Sequence, residues 1–127
     1  PDNMQDNPKY DNVVESIISF FEGKMSELES SGIQNIILDP GFGFGKTIED
    51  NFKILKDLSL LQSFEKPLLV GLSRKSMIYK LLNITPAEAL NGTTALNTLA
   101  IDKGADILRV HDAKEASECI KLIENLN

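Results

Sequence analysis

The sequence predicts an α/β fold in which parallel strands are joined through helices. Apolar residues recur at spacings of three and four in several stretches, and three short apolar runs lie between those stretches. Each run ends in polar residues that lead into the next helical stretch. The order is a helix followed by strand and helix three times over, an alternation that implies parallel strands with right-handed crossovers. In folds of this class ligands meet the carboxyl ends of the strands, so three polar strand ends point to one face.

The first helix spans about Asp11 to Ser31, where Val14, Ile17, Ile18, Phe21, Met25 and Leu28 form one apolar stripe and Gly32 is the stop. Before it, Pro1 to Pro8 is a polar, turn-rich lead without the apolar core of a signal peptide, and it reads as the middle of a longer chain. Ile33 to Asp39 follows as a buried strand, then a turn carrying Gly41, Gly43 and Gly45. Thr47 with Asp50 has the spacing of a capping box, and Ile48, Phe52, Leu55 and Leu58 make the buried stripe of the second helix. Leu68 to Leu72 is a second buried strand delivering Ser73-Arg74-Lys75-Ser76, with a short helix over Met77 to Leu82. Thr85-Pro86-Ala87-Glu88 combines a cap, a proline at the first helical position and the acid of a capping box. The following helix runs from about Thr93 to Lys103 and stops at Gly104; Ala105 to Val110 is the third strand, and a last helix passes through Ile120, Ile123 and Leu126.

A chain of 127 residues with 42% hydrophobic content fits one globular domain. Its net charge of -6 argues against broad attraction to nucleic acid or anionic membrane, and no apolar run approaches the length of a membrane helix. Cys119 is the single cysteine, which excludes an intrachain disulfide and a cysteine-based zinc cage and fits a reducing, cytoplasmic setting.

Several residues carry chemistry. Gly45-Lys46-Thr47 matches the end of a phosphate-binding P-loop, but the required first glycine falls on Pro40; the dinucleotide fingerprint fails at Lys46. Asp39 closes an apolar strand, so its carboxylate either caps the next turn or accepts parallel N–H groups from a heterocycle. Ser73 to Ser76 is either an exposed basic turn or a ligand site, with Gly71 in the preceding strand marking a close approach. Arg109 and His111 share one side of a strand by the period of two; the pair suits a diphosphate, while a lone histidine is also compatible with a structural role. With no second histidine and no nearby cysteine, a metal site made by this chain alone is not expected.

Asp39-Pro-Gly-Phe-Gly-Phe-Gly-Lys46, Gly71-Leu-Ser-Arg-Lys-Ser76, Asn91-Gly92-Thr93 and Arg109-Val-His-Asp112, in that order, resemble the dihydropteroate synthase family. The resemblance covers essentially the whole chain and implies that residues 1–127 form the C-terminal portion, about strands 6 to 8 with their helices, of a single TIM (β/α)8 barrel domain whose N-terminal half is absent. That family joins 6-hydroxymethyl-7,8-dihydropterin diphosphate to 4-aminobenzoate, releasing diphosphate and forming dihydropteroate for folate synthesis. By resemblance, Asp39 accepts the pterin amino and ring N–H groups, and Lys75 donates to the pterin ring close to the aminobenzoate. Phe44 packs on the aminobenzoate ring, where sulfonamides compete; Ser76 meets its carboxylate; Arg109 and His111 hold the leaving diphosphate; Arg74 and Lys46 receive no definite contact. The resemblance also implies Mg2+, associated with an asparagine of the missing half, and a homodimer for the full-length enzyme. The fragment alone is expected to be inactive and to expose barrel strand edges. A corrinoid-linked pterin methyltransferase and a non-catalytic α/β ligand-binding module are the alternatives.

Overall fold

Three extended segments lie side by side in chain order, and helices pack against them. A computed structural model describes residues 12–43 and 45–126; the polar lead, the predicted helix start at Asp11, and Phe44 lie outside the described residues. Helix α1 is Val13–Ser30, and its predicted stripe is its inward face, with Phe21 buried and Ile17, Ile18 and Met25 packed on the core. Gly32, at φ +85°, ends it: the Ile33 N–H donates to the Leu28 carbonyl at 2.9 Å and the Gly32 N–H to the Glu29 carbonyl at 3.0 Å. A left-handed residue that satisfies the last carbonyls in this way defines a Schellman stop.

The strands are shorter than the apolar runs suggest. Leu69–Val70 (β1) pairs in parallel with Ile107–Leu108 (β2), and from the predicted strand 33–39 a single parallel bridge, Leu38 to Leu68, remains. The predicted burial of that first run is also corrected: Ile33 and Ile37 are 45% and 56% exposed, while Leu38 is 4% exposed. Ladder bonds form where the segments converge on the central one, and the outer edges of the first and third segments have no ladder partner among the described residues. In the central run Leu68, Val70, Gly71 and Leu72 are all inaccessible or nearly so, while Leu69 is half-buried. Asp106 closes the start of the third segment by accepting the Leu68 N–H at 2.9 Å.

Helix α2 (Ile48–Lys56) starts on the predicted capping box: Thr47 Oγ1 accepts the Asp50 N–H at 2.9 Å and the Asp50 carboxylate accepts the Thr47 N–H at 3.4 Å. Leu58 is not on α2 as predicted; it opens a 3-10 helix, Leu58–Phe64, where residues three apart stack and Leu58 and Leu61 both enter the core. Helix α3 is Ser76–Leu82. The box at Thr85 is present, with the Glu88 carboxylate accepting the Thr85 N–H at 3.0 Å, but it opens a 3-10 turn, Pro86–Glu88. That turn runs into α4 (Leu90–Asp102), which therefore begins three residues before the predicted Thr93. Helix α5 (Ala113–Glu124) packs on α4 with Cys119 buried between them. No helix among the described residues is long and apolar enough to cross a membrane.

Gly92, in the first turn of α4, is where α3 and α4 approach most closely: a Cβ there would stand 2.5 Å from Ile78 Cγ2. Gly92→Ala is expected to destabilise the fold by about 1–3 kcal/mol through overpacking. Gly23→Ala on the open face of α1, where nothing lies within 4 Å, should instead stabilise by about 0.5–1 kcal/mol. Urea unfolding of both variants checks the pair, and equal effects would contradict the close approach.

Candidate functional site

The three segment ends converge on one face, and each is held by a different local device. At the first, Asp39 Oδ1 accepts the Gly41 N–H at 2.9 Å. Asp39 is exposed, not buried as its place after an apolar run suggests; it does cap the turn, yet its second oxygen stays available to a ligand. The glycine loop is pinned from below by Asn51, which is fully buried on α2: its Oδ1 accepts the Gly43 N–H at 2.9 Å and its Nδ2 donates to the Thr47 carbonyl at 3.0 Å. Gly43 has two reasons to be glycine, since its φ is +103° and a Cβ would meet Lys75 Cδ at 3.1 Å.

That contact brings in the second segment end. The Lys75 ammonium donates to the Phe42 carbonyl at 2.8 Å while its stem lies along Gly43. Burial pushes the Lys75 pKa down, the Arg109 guanidinium lowers it further, Asp39 opposes the shift, and Lys46 adds to it. Asp39, Lys75, Arg109 and Lys46 thus share one electrostatic neighbourhood although they come from three segments.

Arg74 is the structural member of the basic cluster. It adopts φ +56°, its N–H donates to Thr93 Oγ1 at 3.0 Å, and its guanidinium takes both oxygens of Asp112 at 3.0 and 3.1 Å. Its Nη1 donates to the carbonyls of Pro86 and Ala87 at 2.8 and 2.9 Å. The reading of residues 73–76 as a uniform basic turn is therefore divided: Arg74 ties the fold together, and Lys75 faces the site. Thr93, within the Asn91-Gly92-Thr93 motif, acts through Arg74.

At the third end, Arg109 and His111 do face the same side, and they line a cavity of about 270 Å³ with Gly71, Ser73, Lys75 and Val110. The Arg109 guanidinium lies across Gly71, where a Cβ would come within 2.8 Å of it, so the close approach predicted at Gly71 is made by a side chain of the protein. Among the described residues no hydrogen bond or ion pair engages that guanidinium. His111 Nδ1 is 2.8 Å from Ser73 Oγ. Asp39 and Lys46 line a separate cavity of about 440 Å³ that reaches to Phe20 and Phe21 on α1. Ser76 is half-buried as the first residue of α3, next to Lys75, and lines neither cavity.

Lys75, Arg109 and His111 line one cavity in a chain of net charge -6, which concentrates positive charge and polar nitrogens at one place. Asn51 and Ser73 are the residues the sequence reading did not single out. Asn51 had a signal, because it is a polar residue three after Ile48 on the buried side of α2; Ser73 had none beyond its place in the cluster.

Parallel segments wrapped by helices, with ligand-facing groups at their carboxyl ends, define a small-molecule-binding sector of an α/β barrel. The chain belongs to the pterin binding enzyme family, whose model matches residues 1–111. It is similar to the dihydropteroate synthase of Escherichia coli, being 44% identical over 126 residues that cover 98% of this chain and 45% of that protein. Among solved structures it resembles the Yersinia pestis synthase with a pterine–sulfa conjugate, at TM-score 0.89 and 43% identity, covering 94% of this chain and 48% of that one. It also resembles the Coxiella burnetii synthase in complex with pteroic acid, at TM-score 0.87 and 34% identity, covering 95% and 45%. The chain spans about half the length of the relatives it matches, and its fold is a partial α/β barrel.

The Arg74–Asp112 tie is testable by acid titration. Its hydrogen bond with Arg74 holds the Asp112 carboxyl below its ordinary value of 3.8. The stability this contributes is present above that value and lost as pH falls through the depressed one. Arg74→Gln should move the Asp112 titration back toward 3.8, read by carboxyl NMR, lower the melting temperature at neutral pH, and lessen its further fall in acid. An unchanged Asp112 titration in the variant would refute the tie.

Proposed function

We propose that this chain supplies the part of a dihydropteroate synthase active site that reads the pterin edge and receives the leaving diphosphate. The observation that carries this reading is the convergence of Lys75, Arg109 and His111 on one cavity, beside Asp39, in a member of the pterin binding family. In the reaction the amine nitrogen of 4-aminobenzoate forms a bond to the exocyclic methylene carbon of the pterin. The bond from that carbon to the diphosphate oxygen breaks, the diphosphate leaves with the electron pair, and the amine gives up a proton. Such a displacement needs a stabilised leaving group and a positioned amine more than a strong base.

Each residue has a role suited to its surroundings. Asp39, with one oxygen held by Gly41 and the other available, accepts pterin N–H groups. Arg109 presents its fork, and His111 a ring nitrogen, to the diphosphate. The Lys75 pKa is lowered by burial and then by Arg109, and a neighbouring anion opposes that shift and accepts from its ammonium. Ser76, beginning α3 beside Lys75, is assigned the aminobenzoate carboxylate, and Phe44 the aminobenzoate ring. The relatives bound to a pterine–sulfa conjugate and to pteroic acid support adjoining places for a pterin and an aminobenzoate-like group.

Magnesium belongs to the same reading as a group that would neutralise diphosphate charge. The described residues contain no cluster of three His, Cys, Asp or Glu side chains that could hold a metal ion. The free, buried Cys119 suits a reducing cytoplasm, and a homodimeric whole enzyme is part of the proposal.

A chimera tests the proposal: this chain replaces the matching 45% of the Escherichia coli relative. Turnover of pterin diphosphate with aminobenzoate is expected. Arg109→Met in that chimera should raise KM for the pterin diphosphate about 10- to 100-fold, the effect of losing hydrogen bonds to a charged group, with KM for aminobenzoate little changed. A folded chimera without turnover, or an Arg109→Met variant with unaltered kinetics, would sink the assignment.

A further inference from the structure

Ser73 is 4% exposed where it lines the cavity with His111, and a hydroxyl this covered is best satisfied by partners within the protein. Two contacts involve that oxygen among the described residues. The His111 backbone N–H donates to it at 3.3 Å, and His111 Nδ1 stands 2.8 Å away. The hydroxyl has one proton to give. If Nδ1 also carried a proton, the serine oxygen would accept twice and its own proton would be left buried without an acceptor, an unfavourable arrangement. The pairing that satisfies every group has Ser73 Oγ–H donating to an unprotonated Nδ1. The neutral ring then carries its proton on Nε2.

We propose that Ser73 is a positioning residue that holds neutral His111 as the Nε2–H tautomer, so that the ring offers an N–H donor to an anion in the cavity it shares with Lys75 and Arg109. A neutral imidazole held this way donates a hydrogen bond without first having to be protonated. The charged groups facing the ring across that cavity are Lys75 and Arg109, and Asp112, next in sequence, is engaged by Arg74. The use made of the tautomer rests on the anion-binding reading of the cavity; the tautomer itself does not.

The chain contains one histidine, so its ring 15N signals assign themselves. At about pH 8.5, above the ordinary histidine range, Nδ1 should show an unprotonated, pyridine-type shift and Nε2 a pyrrole-type shift. Ser73→Ala should collapse the two toward the averaged shifts of a ring exchanging between tautomers. It should also weaken binding of inorganic diphosphate about threefold to tenfold, as expected for loss of one oriented hydrogen bond. A pyrrole-type Nδ1 in the unaltered chain, or a Ser73→Ala spectrum identical to it, overturns the proposal. The same measurement in the chimera, with His111→Gln identifying the signals by their loss, removes any dependence on whether the variant chain folds alone. Retention of the Nε2–H tautomer with no diphosphate binding would overturn the anion reading and leave the role of Ser73 standing.

Discussion

The arrangement of the site depends on Arg74. One guanidinium joins the end of the central segment to Asp112 at the end of the third and to the carbonyls of Pro86 and Ala87, while the backbone N–H of the same residue is held by Thr93 on α4. These partners are brought together by no ladder, since the β1–β2 pairing ends at Val70 and Leu108. Beyond that point the chains are free to diverge, and the planar fork restores a fixed separation. Lys75 follows Arg74 and His111 precedes Asp112, so the tie fixes the spacing of the groups that face the cavity. The left-handed backbone at Arg74 is an unfavourable conformation for a residue with a Cβ, and it persists because the partners on every side determine it.

The first segment end is registered differently. Asn51 reaches up from α2 to a loop amide, and the capping box at Thr47 starts the same helix, so α2 and the glycine loop are one mechanical unit. Lys75 then bridges this unit to the central segment by packing its stem on Gly43 and donating to Phe42. A buried asparagine is stable there because its oxygen and its amide both find backbone partners. Lys75 therefore also holds the loop that carries Asp39.

Local signals were legible in the sequence and tertiary ones were not. The stops at Gly32 and Gly104 and the boxes at Thr47 and Thr85 rest on interactions within a few residues, the stripe of α1 on its helical period, and the structure contains them. The apolar runs marked the three segments, but strand length depends on neighbouring edges, and Ile33 to Ile37 has no ladder partner on its outer side among the described residues. The placement of Asp39, Lys75, Arg109 and His111 at the segment ends was legible because polar residues follow each apolar run. The separate duties of Ser73 and Arg74 were hidden, since their partners His111 and Asp112 are 38 residues away in sequence. Adjacent residues in a polar cluster point in different directions, and spacing alone does not say which of them meets the protein.

The two arginines at this face show how that division makes a binding site. Arg74 has its donors satisfied by a carboxylate and two carbonyls, and its pKa is raised chiefly by the hydrogen bond to Asp112. Arg109 has the same chemistry and none of those partners among the described residues; it rests over Gly71, where the missing Cβ gives its guanidinium room to lie flat against buried backbone. Arg74 is thus paired within the fold, whereas the Arg109 guanidinium lies beside the partly buried Lys75 with no such partner among the described residues. Burial lowers the Lys75 pKa first and Arg109 lowers it further, as expected of two cations that line one cavity.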